Sequence, residues 1–249
     1  MNAIDTRGLT VAFDGQTIMS GIDLTIRDGE LACLLGPSGC GKSTMLRIFG
    51  GLVDFQGGEV SVHGDPPARS WHRLAYVFQA ARLVPWRSAL DNVVLGMKLR
   101  GVTGDRRELR ERARNYMDVV GIGALADRPG YALSGGEQQR VSIARALAVD
   151  PDILLMDEPF SALDVQTRKR LQQEIVALWQ RTGLTIVLVT HDVNEALTVG
   201  NRVVVCSPKP TQILADHDVD LPYPRNPASP AFRERHDQIV RHFGADEAA

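Results

Sequence analysis

Two kinds of hydrophobic run divide this chain, and the difference between them predicts a layered α/β fold. The first kind is near-continuous: residues 31–35, 74–78, 153–156, 185–189 and 203–206 are apolar with little polar interruption. Strands read this way when both faces are covered, as in a parallel sheet with helices packed on each side. Helical patterns fall between several of these runs, which argues an α/β core. The second kind is shorter and more broken. Residues 9–13 alternate weakly, Asp14-Gly15 marks a turn, and residues 18–26 read as a second strand region. With residues 59–63, bounded by Gly57-Gly58 and Gly64, they predict a small antiparallel sheet flanking the core.

The texture turns helix-rich after Pro85, and about 85–150 is predicted to be an inserted helical subdomain. Its charged run, 105–114, sets arginines and glutamates at helical spacing, the pattern of a solvated helix face rather than of a nucleic-acid patch. Prolines at 222 and 224 punctuate an extended segment. Ser229-Pro230 then predicts the start of a short helix carrying Phe232, Ile239 and Phe243 on one side, and 244–249 is expected to fray. The resulting division is a single domain at 4–235 and a C-terminal tail at 236–249.

Composition narrows the class without naming it. At 44% hydrophobic and 23% charged residues, with a net charge of -2, the 249-residue chain can bury a sizeable core and lacks the basic excess that attracts a phosphate backbone. Nucleic acid is therefore not an expected partner. Three cysteines (Cys33, Cys40, Cys206) are odd in number, two in apolar or glycine-rich surroundings, and imply a reducing, cytosolic compartment. No apolar h-region opens the chain, and no run approaches the ~20 residues of a membrane span. Any membrane crossing is expected to come from a partner.

Chemistry enters directly after the run 31–35, where Gly36-Pro37-Ser38-Gly39-Cys40-Gly41-Lys42-Ser43-Thr44 fits G-x-x-x-x-G-K-[ST] between a buried strand and a helical pattern. The glycines let backbone N–H groups point inward at a helix N-terminus, a nest for a phosphate chain. Lys42 is expected to reach the β- and γ-phosphates of a nucleotide and Ser43 to ligate Mg²⁺. Asp157 and Glu158 end the run 153–156, and in a parallel sheet that end faces the ligand. Asp157 suits a cation held through water, and Glu158 suits orienting or deprotonating an attacking water. Ser134-Gly135-Gly136-Glu137 precedes a strong helix, so free N–H groups there form a second anion site. Two anion sites in one chain suggest a shared nucleotide.

Taken in order, these motifs resemble those of the ATP-binding subunits of ABC transporters, over nearly all of the chain. Residues 36–44 are similar to the family's Walker A, Gln79 to its Q-loop, 133–137 to its signature and 153–158 to its Walker B. Ser161-Ala162-Leu163-Asp164 is similar to its D-loop, and His191 to its switch histidine. The resemblance implies a P-loop NTPase core with a mainly parallel sheet, a flanking antiparallel β subdomain and an inserted helical subdomain. It also implies ATP and Mg²⁺ as ligands, with Phe13 stacking on adenine and Ser43, Asp157 and Gln79 around the cation. Glu158, His191 and Gln79 would be catalytic. Ser134, Gly135, Gly136 and Glu137 would close on nucleotide held by a second copy, in a head-to-tail homodimer with Asp164 in its D-loop.

Two departures stand out: Glu137 where the family has glutamine, and Phe13 where tyrosine is commoner. The stretches Phe78-Gln79-Ala80-Ala81-Arg82-Leu83-Val84-Pro85-Trp86-Arg87 and Leu221-Pro222-Tyr223-Pro224-Arg225 resemble the nitrate, sulfonate and taurine importer group. That implies a peripheral subunit on the cytoplasmic face of the inner membrane, docked on a membrane-spanning permease and served indirectly by a periplasmic or lipoprotein solute-binding protein. An exporter ATPase shares the core motifs. A soluble ABC-type ATPase of DNA repair or translation would carry a coiled-coil insertion or two motif sets, neither of which appears here.

Overall fold

In the computed structural model, which describes residues 2–244, the five near-continuous runs become five parallel strands. They are β3 (Leu31–Leu35), β5 (Leu74–Val77), β6 (Ile153–Asp157), β7 (Thr185–Thr190) and β8 (Arg202–Cys206). With β9 (Ile213–Asp218), antiparallel to β8, they form a six-stranded sheet in the order β5-β6-β7-β3-β8-β9. β1 (Asn2–Phe13), β2 (Gln16–Arg27) and β4 (Gly57–Val62) form a separate antiparallel sheet in the order β2-β1-β4.

Each parallel strand feeds two apolar layers. In β3, Leu31, Cys33 and Leu35 enter one layer and Ala32 and Leu34 the other, all five fully buried. Burial of each such leucine stabilises the fold by about 1.5–3 kcal/mol. The first layer is covered by α2 (Ala89–Leu99), α3 (Arg106–Val119), α4 (Gly135–Leu147), α5 (Val165–Thr182) and α6 (Val193–Val199). The second lies between the large sheet, α1 (Lys42–Phe49) and the antiparallel sheet.

The charged run becomes α3. A capping box starts it, with Asp105 accepting from the backbone of Glu108 and Glu108 from that of Asp105. Leu109, Ala113 and Met117 repeat every four residues and are buried, whereas Arg106, Arg107 and Arg114 face outward.

Three boundaries differ from expectation. β1 begins at Asn2 rather than near Leu9, because register shifts between Thr6 and Leu9 interrupt the alternation that a strand shows in sequence. β9 is absent from the sequence-based expectation: it alternates half-buried Ile213, Ala215 and His217 with exposed residues, and its acids disguise an edge strand. The helix opened by Ser229-Pro230 is α7 (Pro230–Gly244), which runs through the expected boundary at 235/236. Phe232 and Ile239 are buried together in the main core, so 236–244 packs with the domain rather than forming a separate tail. Residues 245–249 of the expected frayed end lie outside the described residues.

The proline-punctuated segment is held by Arg225. Its guanidinium donates to the carbonyls of Leu221 (3.0 Å), Leu197 (2.6 Å), Val219 (2.8 Å) and Gly200, and lies 4.1 Å from the Tyr223 ring centre. Two of those carbonyls are at the C-terminal end of α6, where a helix presents unpaired acceptors and partial negative charge.

Candidate active site

Gly36–Gly41 connects the end of β3 to α1, and the loop's shape reflects what its glycines touch. Gly41 has φ 119°, which other residues rarely adopt, and a Cβ there would stand 2.9 Å from the Thr211 hydroxyl. Gly36 has no such φ. It is needed because a Cβ would meet the backbone oxygen of Cys206 at 2.8 Å, so the loop lies flat against the end of β8. Lys42 is 4% exposed and its ammonium donates to the carbonyls of Gly36 (2.7 Å) and Pro37 (2.8 Å), which holds its charge on the concave side of the loop. Cys40 is buried inside the same turn.

The acids predicted to face this loop do so. The Ser43 hydroxyl donates to Asp157 Oδ1 at 2.7 Å, and the Tyr76 hydroxyl lies 3.4 Å from Oδ2. Asp157 is 2% exposed; burial and this carboxylate push the Tyr76 phenol well above its ordinary range, so it stays a neutral donor. A hydroxyl and a carboxylate at the end of a buried strand are hard oxygen donors suited to Mg²⁺. Among the described residues no group of three or more His, Cys, Asp or Glu converges on one point.

Glu158 sits one residue beyond the strand with φ 43°, the left-handed region that non-glycine residues seldom occupy. Its N–H donates to Val189 O (3.1 Å), and its carbonyl accepts from the Ser161 hydroxyl (2.9 Å), so the turn is tied on both sides. This aims the carboxylate between two predicted partners: Gln79 Nε2 donates to Oε2 at 3.2 Å, and His191 Nδ1 lies 3.3 Å from Oε1. His191 stands between the last residue of β7 and Asp192, the N-cap of α6, which fixes its backbone from both directions.

A cavity of about 280 Å³ lies between the loop and Glu158, lined by Phe13, Ile18, Gly39, Gly41, Lys42, Ser43, Thr44, Glu158 and Lys209; Asp157, Gln79 and His191 stand behind this lining, tied to it through Ser43 and Glu158. Phe13 is 42% exposed, so one face of its ring is open to a planar group. Lys209 belongs to none of the motifs read from the sequence. The rule that ligands gather beyond the carboxyl ends of parallel strands points to it, since it lies three residues past the end of β8.

The remaining predicted residues lie elsewhere. Ser134 caps α4 and Glu137 completes the box: Ser134 Oγ accepts from the Glu137 N–H (3.3 Å), and Glu137 accepts from the Ser134 N–H at 2.7 Å. That last bond holds the Glu137 carboxyl below its usual range, so it is a carboxylate at a helix N-terminus. Gly136 lies close to the D-loop: a Cβ there would stand 2.9 Å from Leu163 Cδ2, so a larger residue would make that leucine shift. A Cβ on Gly135 would meet nothing within 4 Å. Asp164 caps α5, accepting from Gln166 N (3.1 Å) and Thr167 N (3.0 Å). The signature and D-loop segments therefore touch each other through Gly136 and Leu163, while none of their residues lines the cavity.

Two residues that carry no sequence motif connect the halves. Gln139, buried on α4, donates to Phe78 O at 3.1 Å, and Arg145 donates to Ala81 O (2.8 Å) and Arg82 O (3.0 Å). The segment carrying Gln79 is thus bonded to the helix that begins at Gly135. Polar residues on a helix show no pattern that reveals such carbonyl partners.

The ABC transporter family model matches residues 19–161. The aliphatic sulfonates import ATP-binding protein SsuB 2 of Paracoccus denitrificans is 44% identical over 248 residues, covering 99% of this chain and 94% of that protein. The taurine import ATP-binding protein TauB of Chromobacterium violaceum is 44% identical over 217 residues, covering 86% and 82%. Among solved structures, the ATP-binding cassette MJ0796, dimeric in a post-hydrolysis state bound to ADP and Pi, superposes with a TM-score of 0.80 at 31% identity, covering 88% of this chain and 99% of that one. The chain belongs to the ATP-binding subunits of the ABC transporter family and is an ATP hydrolase.

Proposed function

We propose that this chain drives uptake of a small solute such as nitrate, taurine or an alkanesulfonate through a separate permease. The observation that carries the coupling is a continuous path from chemistry to an exposed apolar corner. Gln79 bonds the catalytic carboxylate of Glu158, and the segment after it is pinned to α4 by Gln139 and Arg145. It ends at Trp86, 77% exposed, beside Tyr131, 72% exposed, whose N–H donates to Pro85 O at 3.0 Å. Two large exposed aromatics on adjoining segments suit a helix of a membrane partner. The solute class is supported by the sulfonate and taurine import relatives.

In this reading ATP lies along the cavity, its base on Phe13, its phosphates on the N–H groups of residues 36–44, and Lys42 on the β- and γ-phosphates. Mg²⁺, held by Ser43, Gln79 and, through water, Asp157, would neutralise phosphate charge. Glu158 takes the proton of the attacking water; Gln79 and His191 orient its carboxylate, and His191 also reaches the γ-phosphate. Ser134, Gly135, Gly136 and Glu137 complete the site of a second copy, so ATP joins two chains and hydrolysis releases them. No helix of the described residues is long and apolar enough to cross a membrane. In this reading the permease supplies the crossing and this chain sits on its cytoplasmic face.

The test is a pull-down of the tagged chain from detergent-solubilised membranes of its host. A multi-span permease, encoded beside a solute-binding protein that takes up taurine or alkanesulfonates, is the expected result. Recovery of ribosomes or nucleic acid instead would overturn the importer reading.

A further inference from the structure

We infer that Lys209 is a second cation of the nucleotide site, acting on the α-phosphate. Four adjacent parallel strands of the large sheet each deliver a functional group just beyond their carboxyl ends: β5 leads to Gln79, β6 to Asp157 and Glu158, β7 to His191, and β3 to the loop at 36–41. β8, parallel to β3, is the fifth, and it leads into Ser207-Pro208-Lys209-Pro210-Thr211.

That segment is built to hold a charge in one place. The Ser207 hydroxyl donates to Pro208 O at 2.7 Å, lies 3.3 Å from Pro210 O and accepts from the Gln212 N–H at 2.9 Å, which closes the turn on itself. Prolines on both sides of Lys209 restrict the backbone further. Thr211 then fastens the turn to the phosphate-binding loop. Its N–H and hydroxyl donate to Ile18 O at 2.8 and 2.9 Å, its hydroxyl bonds Cys40 O, and it abuts Gly41. Lys209 is itself exposed and lines the cavity together with Glu158; among the described residues it has no ion-pair partner. A fixed backbone carrying an unneutralised ammonium into a polyanion's cavity is a preorganised phosphate contact.

Position selects the phosphate. Lys42 sits over the start of the loop, on the Gly36 and Pro37 carbonyls, next to Ser43 and Asp157, the end that takes the β- and γ-phosphates. Thr211 pins the Lys209 turn to the far end of the loop, at Cys40 and Gly41 where α1 begins, on the side of Ile18. The α-phosphate is the anionic group between the γ-end and the base on Phe13. This inference rests on the nucleotide pose proposed above.

The experiment is isothermal titration of the full chain with ATP and with ADP at low and at physiological salt, for the parent and for Lys209→Met, Lys209→Arg and Lys42→Ala. Methionine keeps the apolar stem and removes only the charge. An α-phosphate contact predicts that Lys209→Met raises Kd for ATP and ADP by the same factor, roughly five- to tenfold at low salt and less at higher salt, while Lys209→Arg stays within about twofold of the parent. Equal affinities in Lys209→Met and parent would overturn the inference, as would a loss confined to ATP, which would put the ammonium on the γ-phosphate. Failure of Lys209→Arg to restore affinity would mean a role in loop packing. If Lys42→Ala loses nucleotide while Lys209→Met does not, only this inference falls; if neither loses it, the phosphate-loop pose falls too.

Discussion

Replacing Glu158 with glutamine separates chemistry from architecture. The carboxylate is bonded to Gln79 at 3.2 Å and faces His191 at 3.3 Å, both toward the open side of the site, so these contacts support stability by about 0.5 kcal/mol each. Glutamine keeps the length and one acceptor oxygen, and the φ of 43° is set by backbone bonds that the substitution leaves alone. The variant should therefore melt within about 2–4 °C of the parent. Catalysis is another matter, because the amide cannot accept the proton of the attacking water: turnover should fall about 10²–10⁴-fold, the range of a general base. ATP affinity should hold, since Lys42, Ser43 and the loop N–H groups are untouched. Phosphate release at saturating ATP, a melting curve, and chromatography with ATP and magnesium read the three quantities, and the ATP-bound variant should elute as a dimer. Turnover above a tenth of the parent's would refute the general-base assignment. A collapsed melting point would refute the claim that the turn at 158 is held by its backbone.

Arg225→Met removes a guanidinium bonded to four carbonyls, and with about 1 kcal/mol lost per acceptor it should lower the melting point by roughly 8–16 °C while ATP turnover at low temperature survives; a shift under about 2 °C would show that water replaces it. Glu137→Gln should cost the isolated chain about 0.5 kcal/mol of helix-terminus interaction yet strengthen the ATP-driven dimer of a Glu158→Gln background, because a carboxylate no longer faces the second copy's phosphates; a weaker dimer by chromatography would contradict this. His217 is held below its ordinary 6.5 first by burial, then by His242, whose ring lies 5.1 Å away, and Arg235. The unfolded chain thus binds that proton more readily, so this contribution to stability is present above about pH 6.5 and is lost as pH falls below it, and His217→Gln should flatten melting point against pH between about 5 and 7.

What can be read from the sequence divides along a physical line. Runs such as 31–35 and 185–189 are legible because full burial on two faces leaves no room for polar residues, and the strand ends at Gln79, Asp157 and His191 follow from them. Residues whose partners are backbone carbonyls leave no trace of that kind. Arg145 and Gln139 look like an ordinary helix surface, Arg225 like one more basic residue in a proline-rich tail, and Thr211 like a loop threonine. Each is bonded to main chain far away in sequence or across a turn. The glycines are legible as a motif but are there for partly different reasons. Gly36 is required because the backbone of β8 comes too close for a side chain, which no local pattern announces.

The placement of the two predicted anion sites argues for a second copy independently of any relative. Lys42, Ser43, Asp157, Glu158 and His191 converge from β3, β6, β7 and α1, and the rigid parallel ladder between those strands holds them together. Ser134–Glu137 and Asp164 are as firmly built, each set at the capped start of a helix, with Leu163 lying beside Gly136. Neither unit can swing to the other without breaking a buried layer: α4 is bonded to the segment at 78–82 and α5 packs on the sheet. Gly135, where a side chain would meet nothing, opens outward, and in the function proposed above it is the point that a second copy's nucleotide would reach. A Gly135→Glu substitution tests this geometry. It should leave ATP binding by the single chain within about twofold, because the cavity at Lys42 is not involved. It should abolish the ATP-dependent dimer of the Glu158→Gln background, because a carboxylate on the open face would meet the incoming γ-phosphate. Dimerisation that survived Gly135→Glu would mean that the capped end of α4 faces solvent in the closed state.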